Sequence, residues 1–306
     1  MRKIWYNFEN IFPISWVTIF SMPLTYAHYR FGQKCLSKLP LDLQNIINKN
    51  IDYYNYGCQG PDIFYYYNLT KENKIKEFGK NLHTSKMIDI LEMFKFNIKK
   101  IKNRDAALAY IIGFISHFLL DSYCNAYIYK ASNETNINVK IIYKEIEKYY
   151  YYKDKLNKYN ISSIFKPSKD IVAMLSTLFN NFKESTYKQI IYDYKTKLFL
   201  LKDGNYYKDK AILLFAKLTS NKEIEDNILN EKTMECLPFC VRCDKYFEIA
   251  TVHFPVLINN YMDYLTKNSP LNKYYEHNFK TKNNINNIPI LNIKDEENYV
   301  LYDFQD

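Results

Sequence analysis

The sequence predicts an all-α protein built as a single multi-helix domain. Apolar residues recur at helical spacing through long stretches rich in lysine, isoleucine, leucine and tyrosine. Only 6 glycines stand among 306 residues, against 31 tyrosines and 20 phenylalanines, which argues against a turn-rich β protein. The hydrophobic share is 47% and the charged share 25%, ordinary for a globular chain large enough to bury a sizeable core.

The elements follow in order. Residues 1–21 read as a doubtful extension or signal-like segment: Met1, Arg2 and Lys3 precede the apolar run 11–20, but Asn7, Glu9 and Pro13 interrupt it. Met22 is the better-formed start. Residues 24–39 read as a helix ended by Pro40, and 41–47 as a short second one. Residues 52–68 read as a tyrosine-rich loop with the turn Gly60-Pro61-Asp62. Residues 80–100 read as a helix entered through Leu82 and His83, with Thr84 or Ser85 as cap. The strongest helix covers 105–130. Further helices fall near 137–154, 168–183, 185–202, 206–218 and 244–267, the last with a kink expected at Pro255. The domain therefore spans 22–277, and the asparagine-rich, then acidic, residues 278–306 read as a poorly ordered tail.

The net charge of +9 suits an anionic partner or surface, but the lysines are scattered and fit a codon bias as well. The basic run 95–104 reads as one solvated helix face rather than a nucleic-acid site. No segment reaches the roughly 18 apolar residues of a membrane span. Cys35, Cys58, Cys124, Cys236, Cys240 and Cys243 do not form the dense framework of a small secreted domain, so a reducing, cytoplasmic setting is expected. The alternative is secretion, if residues 1–27 act as a signal. No phosphate-binding glycine loop, nucleophile elbow or dinucleotide fingerprint occurs.

The chemistry concentrates in the stretch Gly113-Phe114-Ile115-Ser116-His117-Phe118-Leu119-Leu120-Asp121. His117 and Asp121 stand one turn apart on one helix face, inside an apolar run. A buried carboxylate needs a cation, a donor or a metal. Imidazole and carboxylate at i, i+4 make half of a zinc site, although the plainer reading of the pair alone is a core hydrogen bond. Gly113, one turn earlier, would allow something to approach closely. His28, Asp62 and His83 also have plainer readings when taken singly: a histidine bonded to a carbonyl, turn chemistry, and a helix end.

Together they carry a resemblance. The segments Thr25-Tyr26-Ala27-His28-Tyr29-Arg30-Phe31-Gly32, Gly57-Cys58-Gln59-Gly60-Pro61-Asp62, Leu82-His83 and Gly113…His117…Asp121 occur in the order and context of the zinc-dependent phospholipase C family, whose relatives include bacterial lecithinases and fungal single-strand nucleases. The resemblance covers about residues 22–130, with a weaker echo at Lys245–Ile258. It implies an all-helical fold whose cleft holds two zinc ions, and up to three. By position, one zinc falls to Asp62, His83, His117 and Asp121, and a second shares Asp121 and takes His28. A hydroxide between them would attack the phosphorus, with Asp62 as catalytic base or water orienter.

The sequence departs from the family pattern at the third zinc. A further histidine expected on the His117 helix is replaced by Asn125. A His-x-x-x-Glu pair expected on the next helix is missing: Glu145 and Glu147 are present, but their partners would be Ile141 and Tyr143. The third site is thus lost or remade. Trp16 could mimic the N-terminal tryptophan ligand of secreted members only after an unusually short signal. Cys236, Cys240 and Cys243 have the spacing of cluster ligands and could hold a small structural zinc with Asp244 or His253, but a loop before a packed helix is the default. The function implied is a metal-dependent hydrolase of a phospholipid or other phosphodiester, with transient membrane-surface contact. The alternatives are an inactive family member acting as a binding protein, or a nuclease with nucleic acid as substrate.

Overall fold

A computed structural model describes residues 24–68, 72–156, 161–201 and 236–280, with residues 210 and 214. Among the described residues the chain is all-α, with no strand. The described residues form ten α-helices: α1 (Thr25–Leu36), α2 (Leu41–Lys49), α3 (Ile51–Cys58), α4 (Lys74–Thr84), α5 (Met87–Asn97), α6 (Arg104–Thr135), α7 (Val139–Lys153), α8 (Lys169–Phe179), α9 (Glu184–Leu201) and α10 (Leu237–Lys267). The signal-like segment 1–21 lies wholly, and the helix expected near 206–218 mostly, outside the described residues.

Helix α6 is the axis. It is buried almost without a break from Ala106 to Ile128, and α1, α2, α3, α7 and α10 pack around it. It is long and apolar enough to cross a membrane by length and composition, with an 18-residue window of mean hydropathy 1.4, which corrects the sequence expectation. That whole window is buried inside the protein, so its apolar surface is covered by neighbouring helices. The closest packing is against α3. A Cβ on Gly113 would lie 2.3 Å from the Tyr54 carbonyl oxygen, so the missing side chain admits a helix backbone.

Asparagine replaces the scarce glycine at helix ends. Asn136, Asn180 and Asn268 take the left-handed conformation that ends α6, α8 and α10, and among non-glycine residues asparagine adopts it most readily. At helix starts, Asn73, Asn103, Asn138 and Ser168 accept backbone N–H groups of the first turn.

Several sequence expectations need correction. The segment 52–68 is no loop: it forms α3 and then a 3₁₀ turn over Gly60–Tyr66, because Tyr54, Tyr56, Tyr65 and Tyr66 are core residues and not solvent-facing ones. The helix expected over 80–100 is two helices. Asn73 caps the first, and His83 ends it rather than opening one, while Thr84 and Ser85 donate back to the Asn81 carbonyl. Helix α10 begins at Leu237 with Cys236 as its N-cap, so Cys240 and Cys243 sit in its first turns, and it continues through Pro255. Asn278, Phe279 and Lys280 belong to the packed body, with Phe279 fully buried; residues 281–306 lie outside the described residues.

Candidate metal centre

Four elements deliver five side chains to one place. Helix α1 presents His28, the 3₁₀ turn after α3 presents Asp62, the end of α4 presents His83, and α6 presents His117 and Asp121. None is more than 7% exposed, so water does not compete for their ligand atoms.

Asp121 is the hub. Its Oδ1 lies 3.3 Å from His28 Nε2, and its Oδ2 lies 3.4 Å from His117 Nε2 and 3.8 Å from His83 Nε2. Asp62 Oδ1 lies 3.1 Å from His83 Nε2. The His28 and His117 rings stack with centroids 3.8 Å apart. Two groupings could each hold a cation, His28 with His117 and Asp121, and Asp62 with His83 and His117, their ligand atoms within 4.8 Å of one another. Burial opposes ionisation of Asp121, but His117 and then His28 override it and hold the carboxyl well below the usual range.

The surroundings fix the tautomers. The Cys58 carbonyl lies 3.1 Å from His117 Nδ1, and the Gly79 carbonyl 2.8 Å from His83 Nδ1. A carbonyl only accepts, so both protons sit on Nδ1 and both Nε2 lone pairs point inward. There they face carboxylate oxygens, which are acceptors too. Imidazole nitrogens set against carboxylate oxygens at this range offer a shared cation a ready set of ligand atoms. His117 Nε2 is buried without a hydrogen-bond partner, as is His28 Nδ1. Three imidazoles and two carboxylates converging in this way suit zinc.

Tyr65, Gly60 and Phe279, none of them a ligand candidate in the sequence, complete the site. Tyr65 stacks on His83, its hydroxyl 2.9 Å from Nδ1. Gly60 has φ +50°, and a Cβ there would sit 2.5 Å from the His117 ring, so the glycine makes a cradle that holds the imidazole. Phe279 packs on both His83 and His117. The Gly-Pro-Asp turn marked Gly60 in the sequence but not its contact with His117; Phe279, an aromatic in a polar stretch, carried no local signal.

A family model described as zinc dependent phospholipase C matches residues 27–199. The chain belongs to the zinc-dependent phospholipase C family. No curated protein and no solved structure matches it. The match contains His28, Asp62, His83, His117 and Asp121, the residues that converge here.

The residues of the expected third site do not join them. Asn125 Oδ1 accepts from the Tyr143 hydroxyl at 2.8 Å, and its Nδ2 donates to the Phe279 carbonyl at 3.0 Å. Glu145 pairs with Lys148 at 2.9 Å. Glu147 accepts the backbone N–H groups of Tyr26 and Ala27 at 2.7 and 3.1 Å, and so caps the helix that carries His28. Among the described residues Cys236, Cys240 and Cys243 form no metal-holding group, and none of the six cysteines is in a disulfide.

Proposed function

We propose that this protein hydrolyses a phosphodiester, with a phospholipid headgroup ester as its substrate, at a centre of two zinc ions. The observation that carries the reading is the split aim of Asp121, one oxygen toward His28 and the other toward His83 and His117. A carboxylate placed so suits a bridge between two cations. Asp62, His83, His117 and Asp121 would hold one zinc, and His28 with Asp121 the other. Bound zinc supplies a water acidified to near neutral pH and charge that offsets the phosphodiester oxygens.

The chain's own residues do the rest. The carbonyls of Cys58 and Gly79 keep the protons of His117 and His83 on Nδ1, so both rings serve as neutral ligands. Asp62, whose Oδ1 lies 3.1 Å from His83 Nε2, would orient water and accept its proton. Burial by Phe279 and the α6 core excludes bulk water and strengthens each charge–dipole contact.

The test is turnover by zinc-supplemented full-length protein on phosphatidylcholine vesicles, bis(4-nitrophenyl) phosphate and single-stranded DNA. Headgroup release from the vesicles, abolished in His117→Ala, is expected. Cleavage of DNA alone would make it a nuclease. Stoichiometric zinc with no cleavage of any of the three would leave a binding protein on a family scaffold.

A further inference from the structure

Residues 277–280 lie as a strap against the corner where α4 ends and α5 begins. A helix leaves its first N–H groups and its last carbonyls without partners of its own. At this corner the strap supplies them. The Met87 N–H, first in α5, donates to the His277 carbonyl at 2.9 Å. The His83 carbonyl, in the last turn of α4, accepts the Phe279 N–H at 3.2 Å, and the Thr84 carbonyl accepts from Asn278 Nδ2 at 3.5 Å. The same His83 turns its imidazole to the metal centre, with Nε2 3.1 Å from Asp62 Oδ1. The fully buried Phe279 ring lies 5.3 Å from the His83 ring and 5.8 Å from the His117 ring between centroids, backed by Phe114 and Phe118. One residue thus touches His83 at both backbone and ring, and His117 at the ring.

Asn125 ties the strap from the other side. Its Nδ2 donates to the Phe279 carbonyl at 3.0 Å, and its Oδ1 accepts from the Tyr143 hydroxyl at 2.8 Å. Hydrogen bonds therefore run in one sense, from Tyr143 on α7 through Asn125 on α6 and Phe279 to His83 on α4. Each amide in the chain both donates and accepts, so each bond polarises the next. Tyr143, Asn125 and Phe279 are all buried, so a broken link would leave its partners unsatisfied. Asn125 stands one turn beyond Asp121, where a third-zinc histidine was expected, and its amide is committed to this chain.

We propose that residues 277–280 are a strap that positions His83 and His117 for the metal, with Phe279 as the positioning residue and Asn125 as its latch. The strap adds no ligand atom. It fixes His83 through the carbonyl at the end of α4, and both imidazoles through ring packing, so that their Nε2 atoms stay aimed at the two carboxylates. Outer partners that orient a ligand ring raise metal affinity by holding it ready. The inference rests on the metal centre of the proposed function and not on hydrolysis.

The experiment uses the full-length chain as wild type, Phe279→Ala, Phe279→Leu, Asn125→Leu and the double variant of Phe279→Ala with Asn125→Leu. Chelator competition reads zinc affinity, visible absorption of the cobalt(II)-loaded protein reads ligand geometry, and circular dichroism of the metal-free protein reads folding. Phe279→Ala should raise the zinc Kd by about 10- to 100-fold, the range for a lost outer partner, and change the cobalt spectrum. Phe279→Leu, which fills most of the same space, should recover most of the affinity. Asn125→Leu, close to asparagine in shape but unable to bond, should weaken zinc by about tenfold. It should add little to Phe279→Ala in the double variant, because the latch acts through the strap. Wild-type zinc affinity and cobalt spectrum in a folded Phe279→Ala would overturn the proposal, by reducing the strap to general packing. If Phe279→Ala does not fold, Asn125→Leu decides by the same two readouts. Fully additive losses in the double variant would overturn the latch. A wild type that binds no zinc would defeat the metal centre and the strap with it. Strap effects on zinc in a protein that cleaves no phosphodiester would defeat the hydrolase reading and leave the strap standing.

Discussion

Helices α4 and α6 carry histidines whose lone pairs face carboxylates, whereas α7 carries acids that are satisfied by the protein itself. On the first side, His117 Nε2 is buried without a hydrogen-bond partner. On the second, Glu147 caps α1, Glu145 pairs with Lys148, and Asp154 accepts from both Tyr26 and Arg30. The difference separates residues that await a ligand from residues that aim one. Helix α7 grips α1 at Tyr26, Ala27 and Arg30, the immediate neighbours of His28. Its acids therefore act on the metal centre through the backbone of another helix.

The largest effect that could break this contrast is loss of His117, which belongs to both possible cation groupings. His117→Ala should lower zinc affinity by more than about 100-fold, the upper range seen when only an outer partner is lost. Dialysis against a graded chelator would measure it, and near-wild-type affinity would count against His117 as a ligand. Next is Gly60→Ala. The new Cβ would meet the His117 ring at 2.5 Å in a backbone conformation that alanine resists. We expect a loss of about 2 kcal/mol or more in chemical unfolding, together with weaker zinc binding. Unchanged stability would mean that the turn relaxes freely and the cradle has no role.

Glu147→Gln sharpens the comparison from the other side. An amide oxygen can still accept one of the two N–H groups, but without the charge that favours a helix N-terminus. Stability should fall by about 1 kcal/mol with zinc stoichiometry unchanged. Loss of a whole equivalent of zinc would make Glu147 a ligand after all. The smallest effect concerns Asp154. Burial opposes its ionisation, while hydrogen bonds from Arg30 and Tyr26 outweigh that and lower its pKa. A carboxylate lowered on folding adds stability above its unfolded pKa of about 3.9 and loses it as pH falls through the folded value. Asp154→Asn should therefore cost less than about 1 kcal/mol at neutral pH, since the site is partly solvated, and flatten the acid limb of stability against pH. An equally steep acid limb in the variant would remove Asp154 from that role.

Of the metal-facing half, the His117–Asp121 pair was legible from local spacing, whereas His28, Asp62 and His83 were carried by the resemblance to the zinc-dependent phospholipase C family. His117 and Asp121 share a helix face, Gly60-Pro61-Asp62 is a short turn, and Gly113 announces a close approach. Helical periodicity likewise located α1, α6, α7, α8 and α9 to within a few residues. The rest depended on contacts distant in sequence. Nothing in Glu147 signals a cap on Tyr26, and nothing in Phe279 signals a partner at His83, because those bonds are made only by tertiary packing. The tyrosines of 52–68 misled for a related reason: a tyrosine run is polar by composition, yet Tyr54, Tyr56 and Tyr66 are core residues whose rings pack inside.

The most direct measurement is the zinc content of the full-length protein after metal loading and removal of free ion, in wild type and in Asn125→His. Two equivalents are expected in both, because Asn125 is bonded to Tyr143 and Phe279 and no imidazole on α7 stands ready to join a new histidine. Three equivalents in the wild type, or none, would contradict the two-metal centre built on Asp121.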